Sequence, residues 1–207
     1  MNALKYLAIQ IFAAACLACT AASAQTSDAK AVAELLKQGG YVVVFRHGAT
    51  NRDQADTDPL NHENTARQRL LSDNGRNVAV QIGQTFKAQQ ISFGKTYTSK
   101  FYRAVETGKL ISDSSQTALI DITEGGLVVS PIENDRRAEA LRKLAATPPE
   151  AGKNTLLVTH KPNIIDAFGK DWFEVKEGEA TVFRPDATGK AVVVARVQAA
   201  DWLALSK

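Results

Sequence analysis

Cysteine is nearly absent: 207 residues contain two, Cys16 and Cys19. That excludes a disulfide-stapled scaffold and a cysteine-built zinc module. An excess of one charge is also lacking. Lys plus Arg number 25 and Asp plus Glu 22, a formal +3 dispersed along the chain, so no basic stripe marks a nucleic-acid partner. Internal repeats, low-complexity tracts and domain linkers are missing. Long apolar runs are missing too, except within the first 24 residues. What remains is ordinary globular composition, 44% apolar and 23% charged, which excludes disordered and collagen-like chains.

The one apolar run, from Tyr6 to Ala22, follows the single charge of Lys5 and leads into Ala22-Ser23-Ala24. A basic start, a short apolar stretch and an A-x-A site read as a secretory signal peptide over residues 1–24. A transmembrane anchor fits less well, because the run is short, Ala-rich and closed by small residues. Lipidation of Cys19 is a further open reading. Cleavage after Ala24 leaves 183 of the 207 residues, a charge of +2 and no cysteine. The expectation is therefore a periplasmic or secreted protein, without stable membrane insertion, held together by its own core.

Residues 25–30 read as a polar lead-in. Beyond them helical and strand-like segments alternate. Ala31–Gln38 predicts a helix stopped by Gly39-Gly40, and Tyr41–Phe45 a strand buried on both faces. Residues 49–66 predict a long polar loop over the mouth of a pocket, of the kind that sets substrate choice. Helices are expected over Ser72–Gln90, with Val78, Val80, Ile82, Gly83 and Phe86 inward, and over Phe101–Ile111, Glu133–Ala146 and Ile164–Phe168. Strands are expected over Thr96–Ser99, Ala118–Ile122 and Asn154–Thr159. Thr181–Arg184 and Ala191–Val197 read as a terminal pair across a turn. This alternation predicts one α/β domain over residues 25–207, a three-layer sandwich with a mostly parallel central sheet and helices on both faces.

Two strand ends carry a histidine, in Phe45-Arg46-His47-Gly48 and in Val158-Thr159-His160. Ligands of open α/β sheets bind at the carboxyl ends of strands, so both imidazoles can reach one pocket. Gly48 is expected to allow a sharp turn beside a ligand. A third element, Ser99 to Thr107, places Ser99 at a strand end and Arg103 in the next helix's first turn, an arrangement suited to anions. Taken alone, Arg103 would more often be a surface partner of Glu106 or Glu139.

Arg46-His47-Gly48 after an apolar strand, Ser99-x-x-x-Arg103-Ala104-x-x-Thr107 and the late Thr159-His160 together resemble the histidine phosphatase superfamily. Their order and spacing are similar to its phosphoglycerate-mutase-like branch. The acid phosphatase and phytase branch differs: here Ala49-Thr50-Asn51-Arg52 follows the tripeptide and His160-Lys161-Pro162 stands at the late position. The resemblance implies a metal-independent phosphomonoesterase acting through a phosphohistidine on His47. It implies that Arg46, Arg103 and His160 hold the phosphoryl oxygens, with Thr50 and Asn51 adding hydrogen bonds. A neutral imidazole beside arginines suits the task, since nearby cations lower its pKa. No cofactor or metal is expected. His62 is the third histidine, but no H-x-x-x-H or comparable ligand pair accompanies it.

The resemblance also implies a glutamate that protonates the leaving alkoxide. Glu124, Glu133 and Glu179 are open, and the choice falls on Glu133, although an acid there also suits a helix N-terminus. The expected partner is a small phosphorylated substrate, either a sugar phosphate or, by similarity to exported relatives, a lipopolysaccharide core heptose phosphate. A non-catalytic phosphate-binding protein and a phosphoglycerate-mutase-type phosphotransferase are the alternatives. Oligomeric state leaves no trace in the sequence.

Overall fold

The structure, a computed structural model, describes residues 28–205. The leader over 1–24 and Cys19 lie outside them. Successive side chains of β1 (Val42–Arg46) point to opposite faces of a sheet. Val43 and Phe45 enter one apolar core, and Val42 and Val44 enter a second. A strand buried on both faces requires helices on both sides, and this is what the continuous apolar run encodes.

Six strands form the sheet in the order β3-β2-β4-β1-β5-β6. β2 (Phe93–Ser99), β3 (Gln116–Leu119) and β4 (Asn154–Thr159) join β1 in a parallel block. β5 (Ala180–Pro185) and β6 (Ala191–Val197) extend it antiparallel. Helices α1 (Ala29–Gln38), α2 (Asp73–Ala88), α3 (Tyr102–Ile111) and α6 (Ala199–Ala204) contribute to the first core. Helices α4 (Pro131–Ala145) and α5 (Lys161–Phe168) contribute to the second. The expected three-layer α/β sandwich is the observed fold.

Several boundaries differ from the sequence reading for local reasons. α1 begins at Ala29 rather than Ala31, because the Asp28 side chain caps it by accepting from the Lys30 N–H. Gly39 ends that helix at φ +76°, in the left-handed region that favours glycine. β3 stops at Leu119 rather than continuing to Ile122. Ile120–Ile122 turns inward as a short 3-10 segment, and Ile122 is wholly buried. α5 starts at Lys161 instead of Ile164, since Pro162 falls in its first turn, where a missing N–H costs nothing. In α2 the inward residues include Ala79, Ile82 and Phe86, while Val80 is exposed. α6 was not foreseen. Its Gln198–Asp201 capping box is a readable start signal, and its Trp202 sits edge-on to Phe86 at 4.9 Å.

Neighbouring strands lie about 4.8 Å apart. β2, β4 and β1 are adjacent in the sheet, so their carboxyl ends deliver Ser99, His160 and Arg46-His47 to one place. The segment from Thr50 to Leu71 leaves that edge and returns to it, its ends joined by an isolated antiparallel bridge.

Candidate active site

His47 and His160 meet as expected. Their ring centroids are 5.0 Å apart, and both residues are buried. The Nδ1 atom of His47 lies 2.8 Å from the Gly48 carbonyl, which can only accept. Nδ1 therefore carries the proton, and Nε2 keeps its lone pair. His160 Nε2 lies 2.7 Å from the Ser99 hydroxyl, which also accepts from the Phe101 N–H. With that hydroxyl donating to Nε2, the proton of His160 sits on Nδ1. Nδ1 is buried and has no hydrogen-bond partner among the described residues.

Gly48 acts differently from the expected sharp turn. A Cβ built there would stand 3.2 Å from the Gly75 carbonyl oxygen, and one on Gly75 would collide with the Ala49 backbone. The two glycines let the loop after His47 lie directly on the first turn of α2. The Gly48 N–H donates to the Thr107 hydroxyl, which in turn donates to the Arg103 carbonyl. Thr107 thus locks the histidine loop to the helix that carries Arg103.

Arg103 is wholly buried and does not pair with Glu106 or Glu139, whose partners are Arg76 and Arg142. Its guanidinium lies over the Phe101 ring at 4.2 Å. Nη1 donates to Asp56 at 3.0 Å, and Nη2 donates to Glu124 at 3.2 Å. Arg46 reaches the Val175 carbonyl at 2.7 Å and Glu177 at 3.7 Å. Arg69 was missed by the sequence reading, for it lies in a polar loop without a motif. Its N–H holds Asp56, and its carbonyl accepts from Arg103. The Nε atoms of Arg46, Arg69 and Arg103 are buried without partners, as is His160 Nδ1. Buried donors left open beside two histidines describe a place for an anion rich in acceptors.

Burial holds the pKa of His47 well below the ordinary imidazole value, and the charges of Arg103, Arg46 and Arg69 lower it further. Burial is again the main cause for His160, with Arg103 and His47 next. Both rings are neutral at physiological pH.

The three glutamates separate clearly. Glu124 Oε2 stands 3.4 Å from His160 Nδ1, besides its bond to Arg103. Glu133, preferred from the sequence, sits near the start of α4 and accepts from Arg136 and Arg137. These bonds lower its pKa to about 2, so near neutral pH it has no proton to give. Glu179 is buried in a structural network with Arg196 and Gln198. The geometry places Glu124, and not Glu133, beside the imidazoles. Thr50 donates to Glu177, and the Asn51 amide reaches the Leu71 carbonyl. Both therefore support the loop, and neither hydrogen-bonds to the histidines or arginines.

His62 packs edge-on to Phe101 at 5.2 Å, and Phe101 packs edge-on to His160 at 5.5 Å. Gln68 fastens this loop, donating to the His62 carbonyl and accepting from the Tyr102 N–H. Residues 49–66 thus reach over the site, as expected. Among the described residues, no group of three or more His, Cys, Asp or Glu side chains is arranged to hold a metal ion.

Residues 42–125 match the family model of the histidine phosphatase superfamily (branch 1). The matched stretch carries Arg46-His47-Gly48 and Arg103 and spans less than half of the chain. No curated protein matches it in sequence. Solved structures of several phosphatases are similar in fold. The protein histidine phosphatase SixA, complexed with tungstate, is 19% identical; the match covers 78% of this chain and 98% of that one at a TM-score of 0.53. A phosphoserine phosphatase mutant from Entamoeba histolytica, with phosphoserine, is 15% identical over 78% and 98% of the two chains, TM-score 0.55. Mycobacterial glucosyl-3-phosphoglycerate phosphatase, with inorganic phosphate, is 17% identical over 78% and 99%, TM-score 0.54. At such identities the likeness is one of fold. Among the described residues no helix is long and apolar enough to cross a membrane.

Proposed function

We propose that the protein is an exported phosphomonoesterase that passes a phosphoryl group through His47 to water. The carrying observation is the convergence of two buried imidazoles with the Nε atoms of three arginines and a ring nitrogen of His160, all buried and without hydrogen-bond partners. The His47 Nε2 lone pair attacks phosphorus, the bond to the alcohol oxygen breaks, and Glu124 supplies the proton that the alkoxide needs. Water then attacks the phosphohistidine, Glu124 takes the proton back, and the N–P bond breaks to release phosphate. Arg46, Arg69, Arg103 and His160 Nδ1 stabilise the charge on the phosphoryl oxygens, the task a metal ion performs in other phosphatases.

An intact nucleophile and a carboxylate beside it favour catalysis over simple anion binding. The ligands of the structural neighbours support a small phosphorylated substrate for this chain also. Sugar phosphates, including lipopolysaccharide core heptose phosphate, belong to this class. The leader over residues 1–24 supports export to the periplasm or beyond.

Hydrolysis of p-nitrophenyl phosphate by the mature chain, with and without a chelator, tests the reaction. Activity that survives the chelator and disappears in His47→Ala is expected. Turnover unchanged by that substitution excludes the nucleophile. Cell fractionation of the full-length chain tests export, and retention of an uncut precursor in the cytoplasm excludes it.

A further inference from the structure

The site has two layers. His47, His160 and Arg103 are at most 2% exposed, whereas the side chains of Asp56, Glu124 and Glu177 are 20%, 28% and 29% exposed. Each carboxylate is anchored to the inner layer through one oxygen. Asp56 Oδ1 holds Arg103 and the Arg69 N–H, Glu124 Oε2 holds Arg103, and Glu177 Oε1 holds Thr50 and faces Arg46. The second oxygen of each carboxylate makes no hydrogen bond among the described residues. Beneath this rim lie Arg103 Nε and His160 Nδ1, both fully buried and unpartnered.

We infer that Asp56, Glu124 and Glu177 form an acceptor rim that selects the alcohol part of the substrate. Resting on the phosphatase reading, this assigns the substrate class: phosphate esters of alcohols with hydroxyl or ammonium donors, and not esters carrying a second anion near the phosphoryl group. The inner donors take the phosphoryl oxygens. The outer carboxylates meet whatever extends toward solvent, accept hydrogen bonds from a polyol or an amine, and repel a carboxylate or a second phosphate. Phosphoglycerate-like molecules fall in the excluded group.

Binding of 2-aminoethylphosphonate, ethylphosphonate and 2-carboxyethylphosphonate, measured by calorimetry, tests the rim apart from turnover. These probes keep the phosphoryl charge and change only the far end. The amine should bind at least fivefold more tightly than the carboxylate, with the ethyl compound between them. A general preference of a basic site for negative charge would give the reverse order. Asp56→Asn and Glu177→Gln should each shrink the ratio at least twofold while still binding inorganic phosphate, with unfolding curves confirming that both fold. A wild-type ratio below fivefold, or a ratio unchanged in both variants, overturns the rim. If inorganic phosphate and all three probes fail to bind, the phosphatase reading falls as well. Phosphate binding without the ladder removes only the rim.

Discussion

The ring of His47 faces that of His160 across 5.0 Å, and both residues are buried. One ring is fixed through Nδ1 by the Gly48 carbonyl, the other through Nε2 by Ser99. With Ser99 donating to His160, the pair presents one lone pair and one N–H, which suits the proposed roles of nucleophile and oxygen donor. Substitution of His47 by Ala should lower kcat on p-nitrophenyl phosphate by about 10³-fold or more. Quenching the native enzyme during turnover with denaturant at alkaline pH should trap a base-stable, acid-labile phosphoryl group, absent from the variant. A base-labile adduct would point to a different nucleophile.

Glu124 and Glu133 make opposite predictions. Glu124→Gln should slow hydrolysis of an alkyl phosphate by roughly 10²–10⁴-fold, and that of p-nitrophenyl phosphate much less, since nitrophenolate leaves without a proton. Glu133→Gln should leave both rates near wild type, because that carboxylate is held by Arg136 and Arg137. Equal losses on both esters in Glu124→Gln would remove it as the acid.

Arg103 is the pivot of the anion site, touching Asp56 and Glu124 at once. Arg103→Ala should cost about 2–4 kcal/mol of transition-state stabilisation in kcat/KM, as loss of an oxyanion donor does. It also leaves two carboxylates without their cation, so the melting temperature should fall. Arg69→Ala should weaken phosphate affinity without abolishing turnover. An unchanged kcat/KM in Arg103→Ala would exclude a phosphate role for that side chain.

Acid should destabilise the fold through the two histidines. Both have folded-state pKa values held well below 6.5 by burial and by neighbouring arginines. Their contribution is present above about pH 6.5, where the unfolded chain is also neutral. It is lost as pH falls below that value, because the unfolded chain takes up protons that the native state refuses. Unfolding followed at pH 7.5, 6.5 and 5.5 should show decreasing stability. The acid limb of kcat/KM for nucleophilic attack should lie below pH 6.5. Histidine titration by NMR with both groups at or above 6.5 would contradict this.

The parallel block, the helices on both faces and the meeting of His47 with His160 were legible in the sequence. Apolar β-branched runs and Gly or Pro stops are local signals, and adjacent carboxyl ends follow from the α/β pattern. Which glutamate stands beside the imidazoles was decided only by tertiary structure. A carboxylate's role depends on which cations and rings the fold brings near it, and sequence distance from Arg103 carries none of that information. Arg136 and Arg137 neutralise Glu133 one helical turn away, whereas a short 3-10 segment after β3 carries Glu124 back to His160. Asp56 and Arg69 come from a loop with no periodicity, and only its closure onto Arg103 brought them to the site.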